Sequence, residues 1–270
     1  MSDVRAWDGK SYDRISGPME ELGREVLSRL ELQGDETVLD AGCGSGRITQ
    51  ALIERLPRGR VIAVDASASM VASARERLSE FERSGTVGED SGRLGAGSRG
   101  RVDIRVGDLL ELDLGEQVDA VLSTATFHWI SDHQRLFARL HAALRPGGRL
   151  VAQCGGEGNI DVLRGTVNVL LAEDPYAEHF RDWRAPWNYA GAEETRGRLL
   201  AAGFRAAECW LMPAPKQPEH AREFLLTIVL GPHVQRLPEQ LREPFMDDVL
   251  AALGDPVVVD YVRLNIEATA

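Results

Sequence analysis

The sequence predicts an α/β fold with a mainly parallel sheet, because short apolar stretches alternate with amphipathic helical stretches from about residue 15 to residue 154. The apolar stretches have the character of strands that are buried on both faces. They are Thr37–Asp40, Val61–Asp65, Val102–Val106, Val118–Leu122 and Arg149–Gln153. The helical stretches repeat apolar residues every three or four positions, and they cover residues 16–30, 45–56, 67–82 and 132–144, with Ser67 as the predicted N-cap of the third.

Composition excludes several classes of protein. The chain has 270 residues, and 31 Lys and Arg against 42 Asp and Glu give a net charge of −11, which disfavours non-specific binding to nucleic acid. Its longest apolar run, Phe224–Leu230, is far shorter than the roughly 20 residues of a membrane-spanning helix. The amino end has no apolar signal core, and the three cysteines form no Cys-x-x-Cys pair. We therefore expect a cytoplasmic protein with neither a nucleic-acid nor a membrane partner.

The pattern divides the chain into four parts. Residues 1–34 form an amino-terminal cap and first helix, 35–155 a binding core, 156–190 a lid insertion, and 191–270 the rest of the core with a helical insertion at about 218–252. Two late strands are predicted, at 204–212 and 256–267. The stretch from 84 to 100 contains six glycines and no aromatic residue, so it is predicted to be a flexible insertion.

The sharpest motif runs from Asp40 to Gly46, where a strand ends in an acid and Gly-x-Gly-x-Gly leads into a helix. Glycines let a backbone turn tightly and approach a ligand closely. A carboxylate at that strand end suits a ligand with a cationic amino group. A dinucleotide fingerprint would place its third glycine at position 47, which is Arg47, and its pyrophosphate would lie badly beside an acid.

Two further acids end the next two strands. Asp65 ends the second strand, where a carboxylate can bind both hydroxyls of a ribose, and Asp108 follows the third, where it could accept from an adenine amino group. Either one alone would also suit a turn or a helix cap. Ligands of open parallel sheets bind beyond the carboxyl ends of the strands, so three acids at successive strand ends favour a binding site for a nucleoside with a cationic tail.

With these residues the chain resembles a class I S-adenosylmethionine-dependent methyltransferase. The resemblance covers residues 36–154 and is carried by 40–46, 61–65, 107–109, 118–122 and 144–151. It implies a Rossmann-like, seven-stranded sheet that is mostly parallel and ends in an antiparallel hairpin, with helical lid insertions. The cofactor would be S-adenosyl-L-methionine, leaving as S-adenosyl-L-homocysteine. The residues expected to bind it are Asp40, Gly42, Cys43, Gly44, Gly46, Asp65, Ala66, Met70, Gly107, Asp108, Leu109 and Thr124.

Within that superfamily, the sequence is similar to the trans-aconitate methyltransferase group and related small-molecule enzymes. The similarity lies in residues 7–12, in 127–130 with Asp132, and in 186–189. The residues expected near a small-molecule acceptor are Trp7, Tyr12, His128, Trp129, Arg184 and Trp187. Trp7 and Tyr12 either cover the cofactor or pack the amino-terminal helix, and the arginines at 181–184 either bind an acidic substrate or form an exposed charged loop.

The first hypothesis for function is O-methylation of a carboxylic acid, which needs no general base because the nucleophile is already anionic. A second is methylation at carbon or nitrogen with His128 as base, since histidine is the usual proton-transfer group near neutrality. The same histidine could instead be a packing residue. A third is a non-catalytic module that binds the cofactor. No histidine shows metal-ligand spacing, so no metal site is expected, and the sequence leaves the oligomeric state open.

Overall fold

A computed structural model describes residues 17–83 and 101–270 of the chain. Within this part, seven strands form one sheet in the order β3-β2-β1-β4-β5-β7-β6. Strands β1 to β5 are mutually parallel, whereas β7 is antiparallel to both β5 and β6. The strands are β1 (Thr37–Ala41), β2 (Arg60–Asp65), β3 (Val102–Val106), β4 (Val118–Thr124), β5 (Leu144–Gly155), β6 (Ala206–Pro213) and β7 (Val262–Thr269). This confirms the predicted α/β class and the closing antiparallel strands.

Helices cover both faces of the sheet and continue into the lid. They are α1 (Gly17–Arg29), α2 (Arg47–Glu54), α3 (Ala68–Arg77), α4 (Ser79–Arg83), α5 (His133–Ala143), α6 (Asp161–Leu171), α7 (Ala177–Phe180), α8 (Ala192–Ala201), α9 (Ala221–Phe224), α10 (Gly231–Arg236) and α11 (Glu239–Leu253). A π-helical turn, Leu225–Val229, joins α9 to α10, and short 3-10 helices occupy Leu109–Glu111 and Phe127–Trp129.

Alternation along the buried strands produces two apolar layers. Val38 in β1 faces α1, α2 and α3, while its neighbour Leu39 faces α5 and α8 on the other side of the sheet. The predicted N-cap of α3 is present, because the Ser67 hydroxyl accepts from the backbone N–H of Met70 at 3.4 Å. From β1 the chain continues to β2 and β3 on one side of the sheet, and it then crosses to β4 on the other side of β1. The topological switch point therefore lies between β1 and β4.

The lid has an apolar core of its own. Residues of α6 and α7, such as Leu163 and Phe180, pack in one cluster with residues of α9 to α11, such as Phe245. The two predicted excursions from the sheet therefore form a single unit. The insertion at about 218–252 contains three helices and the π-helical turn rather than two helical stretches.

The largest differences from the predicted strand boundaries lie at the starts of β7 and β5. Strand β7 begins at Val262, not near residue 256, because Val257, Val259 and Tyr261 are buried in the lid cluster before the chain enters the sheet. Strand β5 begins at Leu144, five residues before the predicted start. There the pairing with β4 jumps, from Val118 opposite Leu144 to Ala120 opposite Arg149, so that 145–148 bulge out of the ladder.

The glycine-rich insertion at 84–100 lies outside the described residues, as do residues 1–16 of the amino-terminal part. Among the helices of 17–83 and 101–270, none combines the length and the apolar character that crossing a bilayer requires.

Candidate cofactor and acceptor site

A cavity of about 790 Å³ opens at the carboxyl ends of β1 to β4, beside the switch point. The loops after these strands form its sheet side, and the lid forms the opposite side through residues such as Trp183 and Pro232. Its volume falls within the roughly 300–1,000 Å³ of small-molecule sites. The location is the one that the chemistry of open α/β sheets favours for a ligand.

At Gly42, the glycine loop after β1 passes too close to its neighbours for a side chain to fit. Gly42 has a φ of 86°, and a Cβ there would lie 2.1 Å from the hydroxyl oxygen of Thr126. The Thr126 hydroxyl in turn donates to the backbone oxygens of Gly42 and Thr124. Gly44, with a φ of 53°, has open space where a Cβ would lie. The loop therefore presents backbone to the cavity, which suits a ligand that approaches closely.

Asp65 links the end of β2 to this loop. Its carboxylate accepts from the backbone N–H of Gly44 at 2.9 Å and from that of Ser67 at 2.8 Å. Burial raises the pKa of Asp65, while these two hydrogen bonds lower it in part. Each carboxylate oxygen keeps a second lone pair, so Asp65 can hold the loop and accept from a pair of ligand hydroxyls at once.

Asp108 caps the 3-10 helix that begins at Leu109, because one carboxylate oxygen accepts from the backbone N–H of Leu110 at 2.9 Å. Both Asp65 and Asp108 line the cavity. The structure thus brings together two of the three acids that the sequence placed at strand ends.

Asp40 has a different environment. Its side chain is 1% exposed, and it points to the α2 side of the sheet, where the Thr49 hydroxyl donates to one carboxylate oxygen at 2.6 Å. The other oxygen is buried and has no hydrogen-bond partner within the described part of the chain. Burial raises the pKa of Asp40 to about 6, the Thr49 bond lowers it and the charge of Asp65 raises it. Asp40 therefore lies beneath the loop and does not line the described cavity wall.

Gly46 likewise lies away from the cavity lining as far as the described residues show it. Its φ is 84°, and a Cβ there would lie 3.2 Å from that of Ala74, so the glycine allows α2 and α3 to pack closely. The other ten predicted cofactor residues do line the cavity, namely Gly42, Cys43, Gly44, Asp65, Ala66, Met70, Gly107, Asp108, Leu109 and Thr124.

The predicted acceptor residues divide between two spaces. Trp129 and Arg184 line the large cavity, while His128, Trp129 and Trp187 line a smaller one of about 50 Å³. Trp129 therefore belongs to both. Trp7 and Tyr12 lie outside the described residues.

His128 is buried, and its Nδ1 accepts from the backbone N–H of Gly155 at 3.3 Å. Burial lowers its pKa well below the ordinary value, and the charge of Arg263 lowers it further. A neutral imidazole that accepts at Nδ1 carries its proton at Nε2. The geometry therefore favours His128 as a hydrogen-bond donor and opposes its use as a proton acceptor.

Sequence reasoning missed most of the lid side of the large cavity. Trp183, Pro186, Pro232, Gln235 and Arg236 line it, and they come from two segments that are 46 or more positions apart, from 186 to 232. The cluster of arginines and aromatics at 181–187 was a usable signal for the first segment. The second segment carries no local motif. On the sheet side, the missed Ser45 and Ser67 lie inside stretches that the motif and the predicted helix cap had already marked.

Residues 17–83 and 101–270 hold no group of three or more His, Cys, Asp or Glu side chains that could bind a metal ion. The three cysteines are free, with Cys43 and Cys154 buried.

Fold and site together define an α/β protein that holds a small molecule between acids at its strand ends and a helical lid. A family model described as a methyltransferase domain matches residues 39–152, which contain the glycine loop, Asp65 and Asp108. Residues 39–152 therefore form a methyltransferase domain, and the matches support a class I S-adenosylmethionine-dependent methyltransferase with S-adenosylmethionine as its cofactor. The residues present fit that cofactor, because the loop leaves room for close approach and carboxylates flank it.

Similar proteins include enzymes with a named substrate. The chain is 29% identical over 258 residues to a trans-aconitate 2-methyltransferase of Paracidovorax citrulli, covering 89% of this chain and 86% of that one. It is 33% identical over 147 residues to a trans-aconitate 2-methyltransferase of Azoarcus sp., covering 54% of this chain. That alignment spans only half the length of the Azoarcus enzyme, at 50%.

Among solved structures, the fold is similar to a phosphoethanolamine N-methyltransferase 2 of Haemonchus contortus, in complex with phosphomonomethylethanolamine and S-adenosylhomocysteine. The TM-score is 0.60 at 19% identity, and the match covers 97% of this chain and 56% of that one. At this identity the likeness supports the fold alone.

Proposed function

We propose that the protein transfers the methyl group of S-adenosylmethionine to a carboxylate oxygen of a small organic acid. The observation that carries the proposal is the division of charge across the large cavity. Asp65 and Asp108 line the sheet side, while the lid side is lined by Arg184 and Arg236. Glu20 and Arg47 also line it, but they form an ion pair at 2.6 Å and largely neutralise each other.

This division matches the charges of the two reactants. A sulfonium cofactor with a cationic amino group suits the acidic side, and an anionic acceptor suits the arginines, which bind carboxylates in a planar fork. The trans-aconitate methyltransferases named above support an acid as acceptor. The acceptor of this chain is our inference from the cavity.

For the cofactor, we assign the ribose hydroxyls to Asp65 and the adenine amino group to Asp108 with Leu109. The backbone of Gly42 to Gly44 and the Cys43 thiol, whose pKa burial raises well above its ordinary value, would contact the methionine part. Asp40 is buried and does not reach the described cavity wall. We therefore assign it to the cofactor amino group through electrostatic attraction across the glycine loop, without direct contact.

When bound, the cofactor supplies an electrophilic methyl group on a positively charged sulfur. A carboxylate oxygen attacks with a lone pair and no proton moves, so the protein needs no general base. The task of the residues is to align the reactants, a contribution that reaches about 7–11 kcal/mol in favourable cases. Trp129 and Trp183, which line the cavity beside Arg184, would exclude water.

The rival role of His128 as a base for carbon or nitrogen methylation finds no support in its geometry. Its Nδ1 accepts from Gly155 and its pKa is lowered, so it gains a proton only well below neutral pH. We expect His128→Gln to keep methylation of an acid, with a rate constant that stays flat between pH 6 and 9. Two results together would favour His128 as a general base. They are a loss of turnover in His128→Gln and a wild-type rate that depends on a single ionisation near pH 7.

The first test measures cofactor binding. Calorimetry with S-adenosylhomocysteine should show binding to the wild type and at least about tenfold weaker binding to Asp65→Ala, since bonds to a charged group are worth about 1.5–3 kcal/mol each. Asp119→Ala is the matched control. Asp119 also accepts from a backbone N–H, that of Thr37 at 2.6 Å, but at the opposite edge of the sheet, so cofactor affinity should not change.

The second test identifies the bond that is formed. Wild-type protein is incubated with methyl-labelled cofactor and a panel of organic acids, phenols and amines, and each labelled product is treated with mild alkali. A methyl ester releases labelled methanol, whereas a methyl group on nitrogen or carbon is retained. Labelled product only from amines or phenols would refute the proposal, and cofactor binding without any product would favour a non-catalytic module.

Cysteine chemistry and net charge bear on the location and the partner of the protein. The three free cysteines suit a reducing compartment, so we place the activity in the cytoplasm. The net charge of −11 and a cavity of about 790 Å³ favour a small molecule over nucleic acid as acceptor.

A further inference from the structure

The smaller cavity, of about 50 Å³, adjoins the large one where Ala125 and Trp129 line both. Its remaining walls come from the lid, including Tyr189, from His128 in the 3-10 helix after β4, and from Tyr261 and Arg263 at the start of β7. One water molecule needs a cavity of roughly 10–15 Å³, so this space admits a group of a few heavy atoms.

Irregular backbone converges on this cavity. Within residues 17–83 and 101–270, the non-glycine residues with positive φ are Ala125 and Ile160, both at 54°, and both line it. Ile228 and Val229, which line it as well, belong to the π-helical turn. Strained residues and π-helical turns concentrate at ligand sites, where the surrounding structure holds them in place. Three separate segments of the chain thus have irregular backbone where they line this small cavity.

The charge in this cavity comes from Arg263, which is 3% exposed. Its Nε donates to the side-chain oxygen of Gln153 at 3.3 Å, and its guanidinium lies 5.7 Å from the ring centroid of Tyr261. A guanidinium carries five donors in a plane and always keeps its charge. The described lining of this cavity contains no carboxylate.

Two neutral donors accompany the arginine. His128 carries its proton at Nε2, because Nδ1 accepts from the Gly155 N–H. The Asn159 side chain hydrogen bonds to the Tyr189 hydroxyl, and since its oxygen already accepts from the Val262 N–H at 2.9 Å, its amide nitrogen is the donor to that hydroxyl. The hydroxyl hydrogen of Tyr189 is then available to a ligand, and burial raises the pKa of Tyr189 so that the proton stays.

We propose that this cavity is a specificity subsite in which Arg263, Tyr189 and His128 bind a second, non-reacting carboxylate of the acceptor. The inference rests on the proposed function, because it concerns an acceptor whose other carboxylate reacts in the large cavity. Arg263 then determines specificity, because it binds acids with two carboxylates more tightly than acids with one. The planar carboxylate matches the planar guanidinium and the aromatic walls of Trp187 and Tyr189, which stack with ring centroids 5.8 Å apart.

The experiment compares linear dicarboxylic acids of four to eight carbons with monocarboxylic acids of the same length. In the wild type, kcat/KM for the best dicarboxylate should exceed that of its monocarboxylate partner at least about tenfold. Arg263→Met should lower kcat/KM for dicarboxylates by about 100-fold, mainly through KM, as expected when one member of a buried charged pair is removed. Monocarboxylates should change by less than about threefold.

Arg164→Met is the matched control, because Arg164 likewise faces a tyrosine ring, that of Tyr189 at 5.8 Å from its centroid, yet is not among the residues that line either cavity. It should leave both substrate classes within about threefold of the wild type. S-adenosylhomocysteine affinity and the thermal midpoint show whether each variant folds. If Arg263→Met does not fold, Tyr189→Phe should still weaken dicarboxylates selectively, by about fivefold, for the loss of one hydrogen bond.

Equal losses for both acid classes, or a wild type without preference, would overturn the subsite while leaving carboxylate methylation intact. A clear preference for 3-phosphonopropionate over succinate, which has the same two methylene groups between its acidic groups, would overturn the carboxylate as occupant. If no acid is methylated, the proposed function fails, and calorimetry of glutarate against the protein saturated with S-adenosylhomocysteine then decides the subsite. Binding that Arg263→Met abolishes supports it, and absence of binding to the wild type refutes it.

Discussion

The sheet side and the lid side of the large cavity are built in different ways. The sheet side is backbone and acids from short loops that follow consecutive strands, and its shape depends on Gly42 and on bonds within the loop. The lid side brings Arg184 and Arg236 together from segments that are far apart in the chain, held by a separate apolar core. The half assigned to the cofactor is therefore specified by local sequence, whereas the half assigned to the acceptor depends on long-range packing.

The largest expected effect tests the sheet side. Gly42→Ala places a Cβ 2.1 Å from the Thr126 hydroxyl at a φ of 86°. We expect S-adenosylhomocysteine affinity to fall about 1,000-fold, or about 4 kcal/mol, because Thr126 must give up its bonds to the loop. Calorimetry measures the affinity. Gly44→Ala is the control, since its Cβ meets open space and only the positive φ opposes it; an equal loss in both variants would remove the role assigned to close contact.

Asp40→Asn should stabilise the protein at alkaline pH. The folded pKa of Asp40, about 6, lies above its ordinary value of 3.8, so its contribution to stability is complete below pH 3.8 and is lost as the pH rises through 6. Ionised Asp40 therefore costs about 3 kcal/mol at pH 8, which asparagine avoids while keeping an oxygen for Thr49. Urea unfolding at pH 4 and pH 8 measures the difference. A variant that is less stable at pH 8 would contradict this account.

The lid should show the opposite dependence on pH through His233. This side chain is 3% exposed among aromatic rings, with Trp183 at a centroid distance of 4.6 Å, and burial lowers its pKa to about 4. Because that is below the ordinary value of 6.5, the unfolded chain binds the proton first, and stability is lost as the pH falls from 6.5 to 4.

At pH 5 this loss is about 2 kcal/mol. His233→Leu should therefore be less sensitive to acid than the wild type when unfolding is measured at pH 5 and pH 8. An equal change in the free energy of unfolding between pH 8 and pH 5 for the two proteins would show that protonated His233 has a hydrogen-bond partner in the folded state. Within the described residues, its Nδ1 has none.

The smallest expected effect concerns the lid arginines. Arg184→Gln with Arg236→Gln should raise KM for an acid about tenfold and leave S-adenosylhomocysteine affinity unchanged, because Arg184 is exposed and such charges are partly screened. Steady-state kinetics at low and high salt checks both points. A change in cofactor affinity that matches the change in KM would break the division between the two sides.

The predictions from sequence succeeded where a residue's role depends on its immediate neighbours. Alternation of apolar residues in β1 and the acid that follows β2 are local features, so their place at the edge of a parallel sheet could be inferred. The start of β7 could not, because Val257 and Val259 have the apolar character of a strand but satisfy it in the lid core. Asp40 was expected beside the ligand. Only the structure shows that its side chain points from β1 toward α2, and therefore lies beneath the loop.

The class of fold, the glycine loop and the positions of Asp65 and Asp108 could be read from the sequence, because the 2.0 and 3.6 residue periods and the strand ends define them within short windows. Only the tertiary structure decided that Arg263, Tyr189 and His128 share a small cavity next to the large one. Those residues are separated by up to 135 positions, from 128 to 263, and what joins them is the packing of a lid against the last strand, which no local pattern encodes.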